Sequence, residues 1–192
     1  MPTPPDEPPP LDIRRQVEVL NRHGVQFLVV GGANVVAQGA SHLTTDLDVL
    51  PVSDVDNLAR LGSAMEELGA RLRVEGLSDE EAKTLPVQLR DGRVFRSAEI
   101  TNWRTDAGDL DVMLSMPDRD GTRHRFEYFA ARAVPGVADD EPVQLAHLAD
   151  VIASKEHADR DKDRKALPAL RLLLARKDAA NPEDSAGLRD DK

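Results

Sequence analysis

The chain has 192 residues, a formal net charge of −10, a hydrophobic content of 40% and no cysteine. This length fits one domain with appended segments, and the lack of cysteine excludes disulfides and thiolate zinc sites and favours a reducing cytoplasm. No apolar run reaches the roughly 18 residues that span a bilayer, and the acidic balance argues against broad non-specific nucleic-acid binding.

Residues 1–10 are proline-rich and acidic, which predicts a disordered leader and not a signal peptide. Residues 11–178 are predicted to form the folded domain, and residues 179–192 a flexible tail. Within the domain, hydrophobic spacing predicts elements in the following order: a helix at 11–21, a strand at 25–30, a short helix at 33–38, a strand at 47–51 and a helix at 55–68 that Ser53 caps.

The second half alternates less regularly. It predicts a third strand at 71–74, a short helix at 79–84, strands at 97–103 and 110–114, turns at 106–108 and 117–122, a brief strand at Val143, and helices at 145–156 and 163–176. Pro168 either kinks the last helix or shifts its start. The whole order predicts an α+β or mixed α/β sheet flanked by helices, and not a helix bundle or a sandwich.

Two Asp-Leu-Asp-Val segments lie on predicted strands, the first of them beginning at Asp46. Because side chains two residues apart on a strand share a face, Asp46 and Asp48 should stand side by side, with Leu47 and Val49 in the core. Adjacent carboxylates repel each other, and a bound Mg²⁺ or Mn²⁺ ion would relieve that repulsion through oxygen ligands. A single segment of this kind is more often a solvated strand end, but two together favour a metal site.

The second segment begins at Asp109 and supplies a third carboxylate if its strand lies beside the first. Either Asp109 or Asp111 could be that ligand. Asp111 is favoured because its neighbours repeat those of Asp48. The predicted metal ligands are therefore Asp46, Asp48 and Asp111.

A glycine pair, Gly31-Gly32, follows the first predicted strand and precedes a short helix. Glycines let backbone approach a ligand closely, and a helix N-terminus favours phosphate, although a plain turn is the simpler alternative. The spacing matches neither a Walker loop nor a dinucleotide fingerprint. Thr44 and Thr45 add hydroxyl groups beside the first carboxylate pair, so the four residues together predict a nucleotide-phosphate site.

A basic stretch runs from Lys155 to Lys177. Lys155 and Lys162 are seven residues apart and would share one face of a continuous helix, with Asp159 placed to pair with Lys155. This pattern is typical of a solvated charged helix or, alternatively, of lysines that contact triphosphate oxygens.

Four stretches together resemble the nucleotidyltransferase superfamily that shares the DNA polymerase β palm, and within it the AbiEii and MenT type of toxin. They are LVVGGA at 28–33, TTDLDVL at 44–50, GDLDVM at 108–113, and DVIASK at 150–155 running into RDKD at 160–163. The resemblance spans residues 12–176. The chain departs from the family pattern at Gln38, where many members carry His, and at His42, where many carry Arg.

The resemblance implies a palm-like mixed β-sheet flanked by helices, with C-terminal helices. It implies that Asp46 and Asp48 hold Mg²⁺ or Mn²⁺ and the phosphates, and that Asp111 binds metal and activates the attacking hydroxyl. Lys155, Lys162 and Asp163 would contact the nucleotide or order the site, Lys155 as a catalytic residue. The implied reaction adds nucleotides, often pyrimidines, to a tRNA 3′ end, and the implied partner is a cognate antitoxin.

Two other hypotheses stay open at this stage. The same chemistry could modify a protein or a small molecule such as an aminoglycoside, an alternative that the acidic net charge supports. Alternatively, the chain could be a non-catalytic nucleotide-binding or partner-binding module.

Overall fold

The computed structural model describes residues 8–180. Most of the predicted leader (residues 1–7) and nearly all of the predicted tail (residues 181–192) lie outside these residues. Among the helices of the described part, none is long and apolar enough to cross a membrane.

Nine strands alternate with seven helices in residues 8–180. The strands are β1 (Phe27–Val30), β2 (Asp46–Pro51), β3 (Arg71–Leu72), β4 (Ile100–Thr105), β5 (Gly108–Met113), β6 (Met116–Pro117), β7 (Arg123–His124), β8 (Val134–Ala138) and β9 (Glu141–Leu145). The helices are α1 (Ile13–Arg22), α2 (Gly31–Ala37), α3 (Val55–Glu67), α4 (Asp79–Lys83), α5 (Phe126–Ala130), α6 (Leu148–Ala158) and α7 (Asp161–Ala180), with a 3₁₀ turn at Arg93–Arg96.

Seven strands form one sheet in the order β3-β4-β5-β2-β1-β9-β8, and β6 pairs separately with β7. The sheet is mixed, because β2 pairs with β5 and β1 with β9 in parallel, while the other pairs of the main sheet are antiparallel. The predicted α+β class is confirmed, with helices flanking a mixed sheet.

The two faces of the sheet have separate apolar clusters. On one face, Leu47, Val49 and Leu110 pack with the buried side chains of α1 and α3. On the other face, Leu28 and Leu50 pack with buried side chains of α6 and α7. These helices cover only part of the second face, and the uncovered part carries the alternating polar residues of β2 and β5.

Pairing between β2 and β5 places the two Asp-Leu-Asp-Val segments side by side in register. Asp46 lies opposite Asp109, and Asp48 lies opposite Asp111. The expected alternation is present, because Leu47 and Val49 are fully buried while Asp46 and Asp48, which alternate with them, are partly exposed. The second segment therefore lies beside the first, which is the condition for a third carboxylate at this site.

Several local predictions were wrong. Asp54, and not Ser53, caps α3, since its carboxylate accepts a hydrogen bond from the Asn57 backbone at 2.7 Å. Helix α2 begins at Gly31 itself. The hairpin of β8 and β9 is longer than the predicted strand at Val143, and α5 was not predicted.

The basic stretch is not one continuous helix. Asp159 caps the C-terminus of α6 in the left-handed region, with φ of 46°, and α7 begins two residues later. Lys155 and Lys162 therefore lie on different helices, which corrects the predicted shared helix face. Asp159 pairs with Arg164 at 3.0 Å and not with Lys155. Pro168 lies inside α7 and does not delay its start.

Candidate active site

A cleft of about 800 Å³ opens on the uncovered part of the sheet, between the β2 and β5 segments and the junction of α6 with α7. Its lining includes every residue that the sequence placed in the site: Gly31, Gly32, Thr44, Thr45, Asp46, Asp48, Asp111, Lys155, Lys162 and Asp163. Residues from five separate stretches of the chain thus meet in one place.

The first carboxylate pair lacks a cationic partner. Within residues 8–180, no ion pair joins Asp46 or Asp48 to a lysine, arginine or histidine. Burial raises the pKa of Asp48 to about 6, and the nearby charges of Asp46 and Asp111 add to that rise. A hydrogen bond from the Gly32 backbone and the charge of Lys155 oppose that rise only in part. The pair therefore concentrates negative charge that the protein compensates incompletely.

The glycine pair makes room for the residues of the neighbouring strand. Gly31 has φ of 60°, a left-handed conformation that favours glycine. A Cβ atom at Gly31 would collide with the Asp48 carboxylate, and one at Gly32 would lie 2.5 Å from the Thr44 hydroxyl oxygen. The two glycines therefore let α2 begin directly against Asp48 and Thr44.

The two threonines differ in their surroundings. Thr44 donates a hydrogen bond from its hydroxyl to the Asp46 carbonyl at 2.9 Å and so holds the entry to β2. Thr45 is exposed at the mouth of the cleft. Thr45 is consequently the freer of the two hydroxyl groups for a ligand.

The second carboxylate pair is neutralised by neighbouring strands. Asp111 accepts hydrogen bonds from Arg73 Nη2 at 3.2 Å and from Asn102 Nδ2 at 2.6 Å. Asp109 pairs with Arg73 and with Arg104. Burial raises the pKa of Asp111, and the Arg73 charge and the Asn102 hydrogen bond work against that rise.

Asp109 and Asp111 differ in access to the cleft. Asp111 is among the lining residues and Asp109 is not. The sequence left open whether Asp109 or Asp111 is the third carboxylate, and access to the cleft favours Asp111.

The donor set of Asp46, Asp48 and Asp111 suits a hard divalent cation, because it offers only carboxylate oxygens. Asp48 forms no ion pair with a side chain of residues 8–180, so its negative charge would also attract a cation. Across residues 8–180, however, no group of three acidic or histidine side chains is already arranged to hold a metal ion. Asp111 is instead held by Arg73 and Asn102.

The far wall of the cleft carries an ion-paired cluster. The Lys155 ammonium lies 3.1 Å from one Asp163 oxygen, and Arg160 Nε lies 2.6 Å from the other. Asp163 is only 1% exposed. Burial alone would raise its pKa, but the hydrogen bonds from Arg160 and Lys155 outweigh burial and lower it. Asp163 is thus a buried anchor that orients Lys155, whereas Lys162 is exposed beside it.

The two departures from the family pattern have different surroundings. Gln38 is buried, and its amide donates to the Asn34 side chain at 2.8 Å and to the Ala146 carbonyl at 3.0 Å. It ties α2 to the start of α6. His42 lines the cleft, and partial burial together with the charges of Lys155 and Lys162 lowers its pKa.

Several lining residues were missed by the sequence analysis, among them Arg73, Ile100, Asn102, Met113 and Arg123. Asn102 had a usable signal, because it sits on a predicted strand beside the Asp-Leu-Asp segment. Arg73 follows the short strand β3 and reaches Asp111 only through the folded sheet order. No local pattern marks it.

No protein-family model and no curated protein sequence matches the chain. Solved structures do match it. The crystal structure of ANT(2″)-Ia with adenylyl-2″-tobramycin is 16% identical with a TM-score of 0.54 and covers 91% of this chain and 93% of that one. The lincosamide antibiotic adenylyltransferase LnuA, bound to lincomycin, is 12% identical with a TM-score of 0.53 and covers 85% of this chain and 99% of that one.

A solution structure of ANT(2″)-Ia, described as an antibiotic-resistance factor, gives a similar result. It is 15% identical with a TM-score of 0.53 and covers 92% of this chain. These similarities extend over nearly the whole described domain, so the chain has the fold of these nucleotidyltransferases.

Proposed function

We propose that the chain is a metal-dependent nucleotidyltransferase (EC 2.7.7 type) that transfers a nucleoside monophosphate from an NTP to an acceptor hydroxyl. The observation that carries the proposal is the cleft itself. Three carboxylates on two neighbouring strands face two lysines on two helices across one opening, and the shared fold gives this arrangement its chemical context.

Asp46, Asp48 and Asp111 would hold Mg²⁺ or Mn²⁺. When bound, the ion would neutralise phosphate oxygens and favour ionisation of the attacking hydroxyl. The raised pKa of Asp48 supports this assignment, because burial and the charges of Asp46 and Asp111 raise it and the charge of Lys155 offsets them only in part.

The opposite wall suits the triphosphate. Lys155 is fixed by the buried Asp163 carboxylate, and Lys162 stands exposed at the first turn of α7. The Lys155 ammonium group would stabilise the charge that grows on the leaving pyrophosphate, and the Lys162 ammonium group would bind the triphosphate. Thr45 and the backbone of Gly31 and Gly32 would border the phosphates from the β2 side.

In the proposed reaction, the acceptor oxygen forms a bond to the α-phosphorus. The bond between that phosphorus and the oxygen bridging to the β-phosphorus breaks, and pyrophosphate leaves with the electron pair. The hydroxyl proton passes to Asp111 and then to water. Asn102 would orient Asp111 for this transfer through their hydrogen bond.

The charges around the cleft favour an anionic acceptor. Besides the three proposed metal ligands, the only acidic residue among its lining residues is Asp163, which is buried and paired. The cationic lining residues are Arg73, Arg123, Lys155, Arg160 and Lys162. We therefore propose an RNA 3′ end, in particular that of tRNA, as the acceptor.

A biological role follows from this choice. Resemblance to the AbiEii and MenT group supports a toxin that a cognate antitoxin restrains. Induced expression of the wild-type chain should arrest growth, and expression of Asp48→Asn should not. Equal growth of the two strains would count against the toxin role.

A second candidate acceptor is an antibiotic, and the fold shared with ANT(2″)-Ia and LnuA favours it. A polycationic aminoglycoside would need acidic partners beyond the metal ligands, and the lining provides none that is exposed. An acceptor screen with radiolabelled NTPs, tRNA, tobramycin and lincomycin tests the proposal. Label on tRNA supports it, and label only on an antibiotic selects the second candidate.

A non-catalytic module is the remaining alternative. Calorimetry with each NTP, with and without Mg²⁺, distinguishes it from the proposed enzyme. Mg²⁺-dependent NTP binding supports the enzyme, whereas the absence of any such binding would favour the module.

A further inference from the structure

A continuous series of ion pairs ends on the third carboxylate of the cleft. The series crosses the edge of the sheet that β3, β4 and β5 form, and acidic and basic side chains alternate along it. Its members, in order, are Asp106, Arg71, Asp79, Arg104, Asp109, Arg73 and Asp111. Only the last two of these residues line the cleft. Arg73 is therefore the point at which a structural network meets the candidate active site.

Arg73 holds two carboxylates at once. One guanidinium nitrogen pairs with Asp109, and the other lies 3.2 Å and 3.4 Å from the two oxygens of Asp111. The backbone N–H of Arg73 donates to the Asn102 carbonyl at 2.9 Å, so the main chain is fixed beside β4. Its side chain is 35% exposed, which leaves the guanidinium room to move toward the cleft.

We propose that Arg73 is a built-in counter-cation that occupies Asp111 until a divalent cation takes its place. This inference rests on the proposed function, because it requires that Asp111 be a metal ligand. The guanidinium gives up Asp111 when the ion arrives and stays attached to the protein through Asp109. Arg73 is thus a positioning residue that acts through Asp111.

The electrostatics favour such an exchange. A guanidinium and a divalent cation on the same small carboxylate would repel each other strongly in a partly buried site. Asn102 is neutral and contacts Asp111 at 2.6 Å, so it can keep orienting that carboxylate when the ion is bound. Asp109 gives the displaced guanidinium a fixed partner that does not line the cleft.

The exchange also explains why the carboxylates are not already arranged for a metal within residues 8–180. In the metal-free protein, Asp46, Asp48 and Asp111 line the same cleft, where their like charges repel one another. The ion pair with Arg73 neutralises one of these three charges. The metal-free fold is stabilised, and metal affinity is reduced as a consequence.

The test measures Mn²⁺ binding without nucleotide, by electron paramagnetic resonance titration of the full chain. Arg73→Gln should bind Mn²⁺ about tenfold more tightly than wild type, because the ion no longer breaks a charge-assisted contact. Arg73→Lys should lie closer to wild type. The matched control is Arg71→Gln, since Arg71 belongs to the same network but does not touch Asp111. Unchanged or weaker Mn²⁺ binding by Arg73→Gln overturns the proposal, as does the absence of binding in both proteins.

A second measurement uses the wild-type protein and does not depend on how the variants fold. The Nε–H resonance of Arg73, assigned by its disappearance in Arg73→Lys, should shift when Mg²⁺ is added, while that of Arg71 stays in place. An Arg73 resonance that does not respond to saturating Mg²⁺ contradicts the exchange.

These measurements separate the inference from the proposed function. Failure of the wild-type chain to transfer label to any acceptor rejects the enzyme but leaves the Mn²⁺ comparison valid. Conversely, an active enzyme in which Arg73→Gln leaves Mn²⁺ affinity unchanged rejects the exchange alone.

Discussion

Two segments of this chain have the same sequence, Asp-Leu-Asp-Val, and lie in register on neighbouring parallel strands, yet their electrostatic surroundings are opposite. The first pair, Asp46 and Asp48, forms no ion pair within residues 8–180, and burial raises the pKa of Asp48 to about 6. The second pair, Asp109 and Asp111, is held by Arg73, Arg104 and Asn102.

The strand order causes the difference. Strand β5 lies between β2 and β4, and β4 places Asn102 opposite Asp111 and Arg104 opposite Asp109. The other neighbour of β2 is β1, which places Val30 opposite Asp48. The same four residues therefore form an open anionic pair beside an apolar strand and a neutralised pair beside a polar one. Motif identity does not fix the electrostatic role.

The largest expected effect is on catalysis at the open pair. Asp48→Asn keeps the shape of the side chain but removes the charge, and should lower nucleotidyl transfer by about a thousandfold or more, as for loss of a group that stabilises transition-state charge. Asp56→Asn, at an exposed position on α3, is the matched control. Transfer by Asp48→Asn at the rate of the control would mean that the pair is not catalytic.

The neutralised pair should matter most for stability. Arg104→Ala leaves Asp109 and Asp79 without one of their buried partners, and should lower the free energy of unfolding by about 3 to 5 kcal/mol in urea titrations. Arg90 is exposed and pairs with Glu66, so Arg90→Ala should change the free energy of unfolding by at most about 1 kcal/mol. Similar losses in the two variants would remove the distinction between structural and open carboxylates.

The open pair should instead destabilise the metal-free fold in a pH-dependent way. Because the pKa of Asp48 rises from 3.8 to about 6, ionisation costs the folded state up to about 3 kcal/mol above pH 6 and nothing below pH 3.8. The free energy of unfolding of the wild-type protein in EDTA should therefore fall by this amount as the pH rises from 4 to 6. Asp48→Asn should be more stable than wild type at pH 7.5 and similar at pH 4. A difference in unfolding free energy that is the same at both pH values would contradict the assignment.

The smallest effect is expected on the opposite wall. Lys162 is exposed, so its charge should contribute only about 1 kcal/mol to nucleotide binding. Lys162→Gln should raise the KM for the NTP about fivefold and leave kcat nearly unchanged, since uniform binding is lost. Lys165→Gln, on the same helix but away from the cleft, should change neither constant. A fall in kcat would instead place Lys162 in the transition state.

The sequence predicted the parts of this site that depend on local periodicity. Alternation on a strand placed Asp46 and Asp48 on one face, and the repeat of that pattern pointed to Asp111. It could not predict Arg73, because its contact with Asp111 depends on the order of three strands. Two separate helices were predicted in the basic stretch, but the position of the break at Asp159 was not, since a non-glycine residue adopts the left-handed conformation there.

Neighbouring elements misled the sequence analysis in two other places. Ser53 and Asp54 are both good capping residues, and only the Asp54 hydrogen bond to Asn57 decides between them. Pro135 and Gly136 disfavour a strand, but β8 is the edge of the sheet, where both residues are tolerated. Because the hairpin of β8 and β9 was not predicted, the parallel pairing of β9 with β1 was not predicted either.

The proposed function requires that the open carboxylate pair support cation-dependent nucleotidyl transfer. One assay examines this requirement: the wild-type chain and Asp48→Asn are each incubated with the four labelled NTPs and total tRNA, with Mg²⁺ or with EDTA. We expect label on tRNA only for the wild-type chain with Mg²⁺. Transfer that persists in EDTA or in Asp48→Asn would contradict the proposed function.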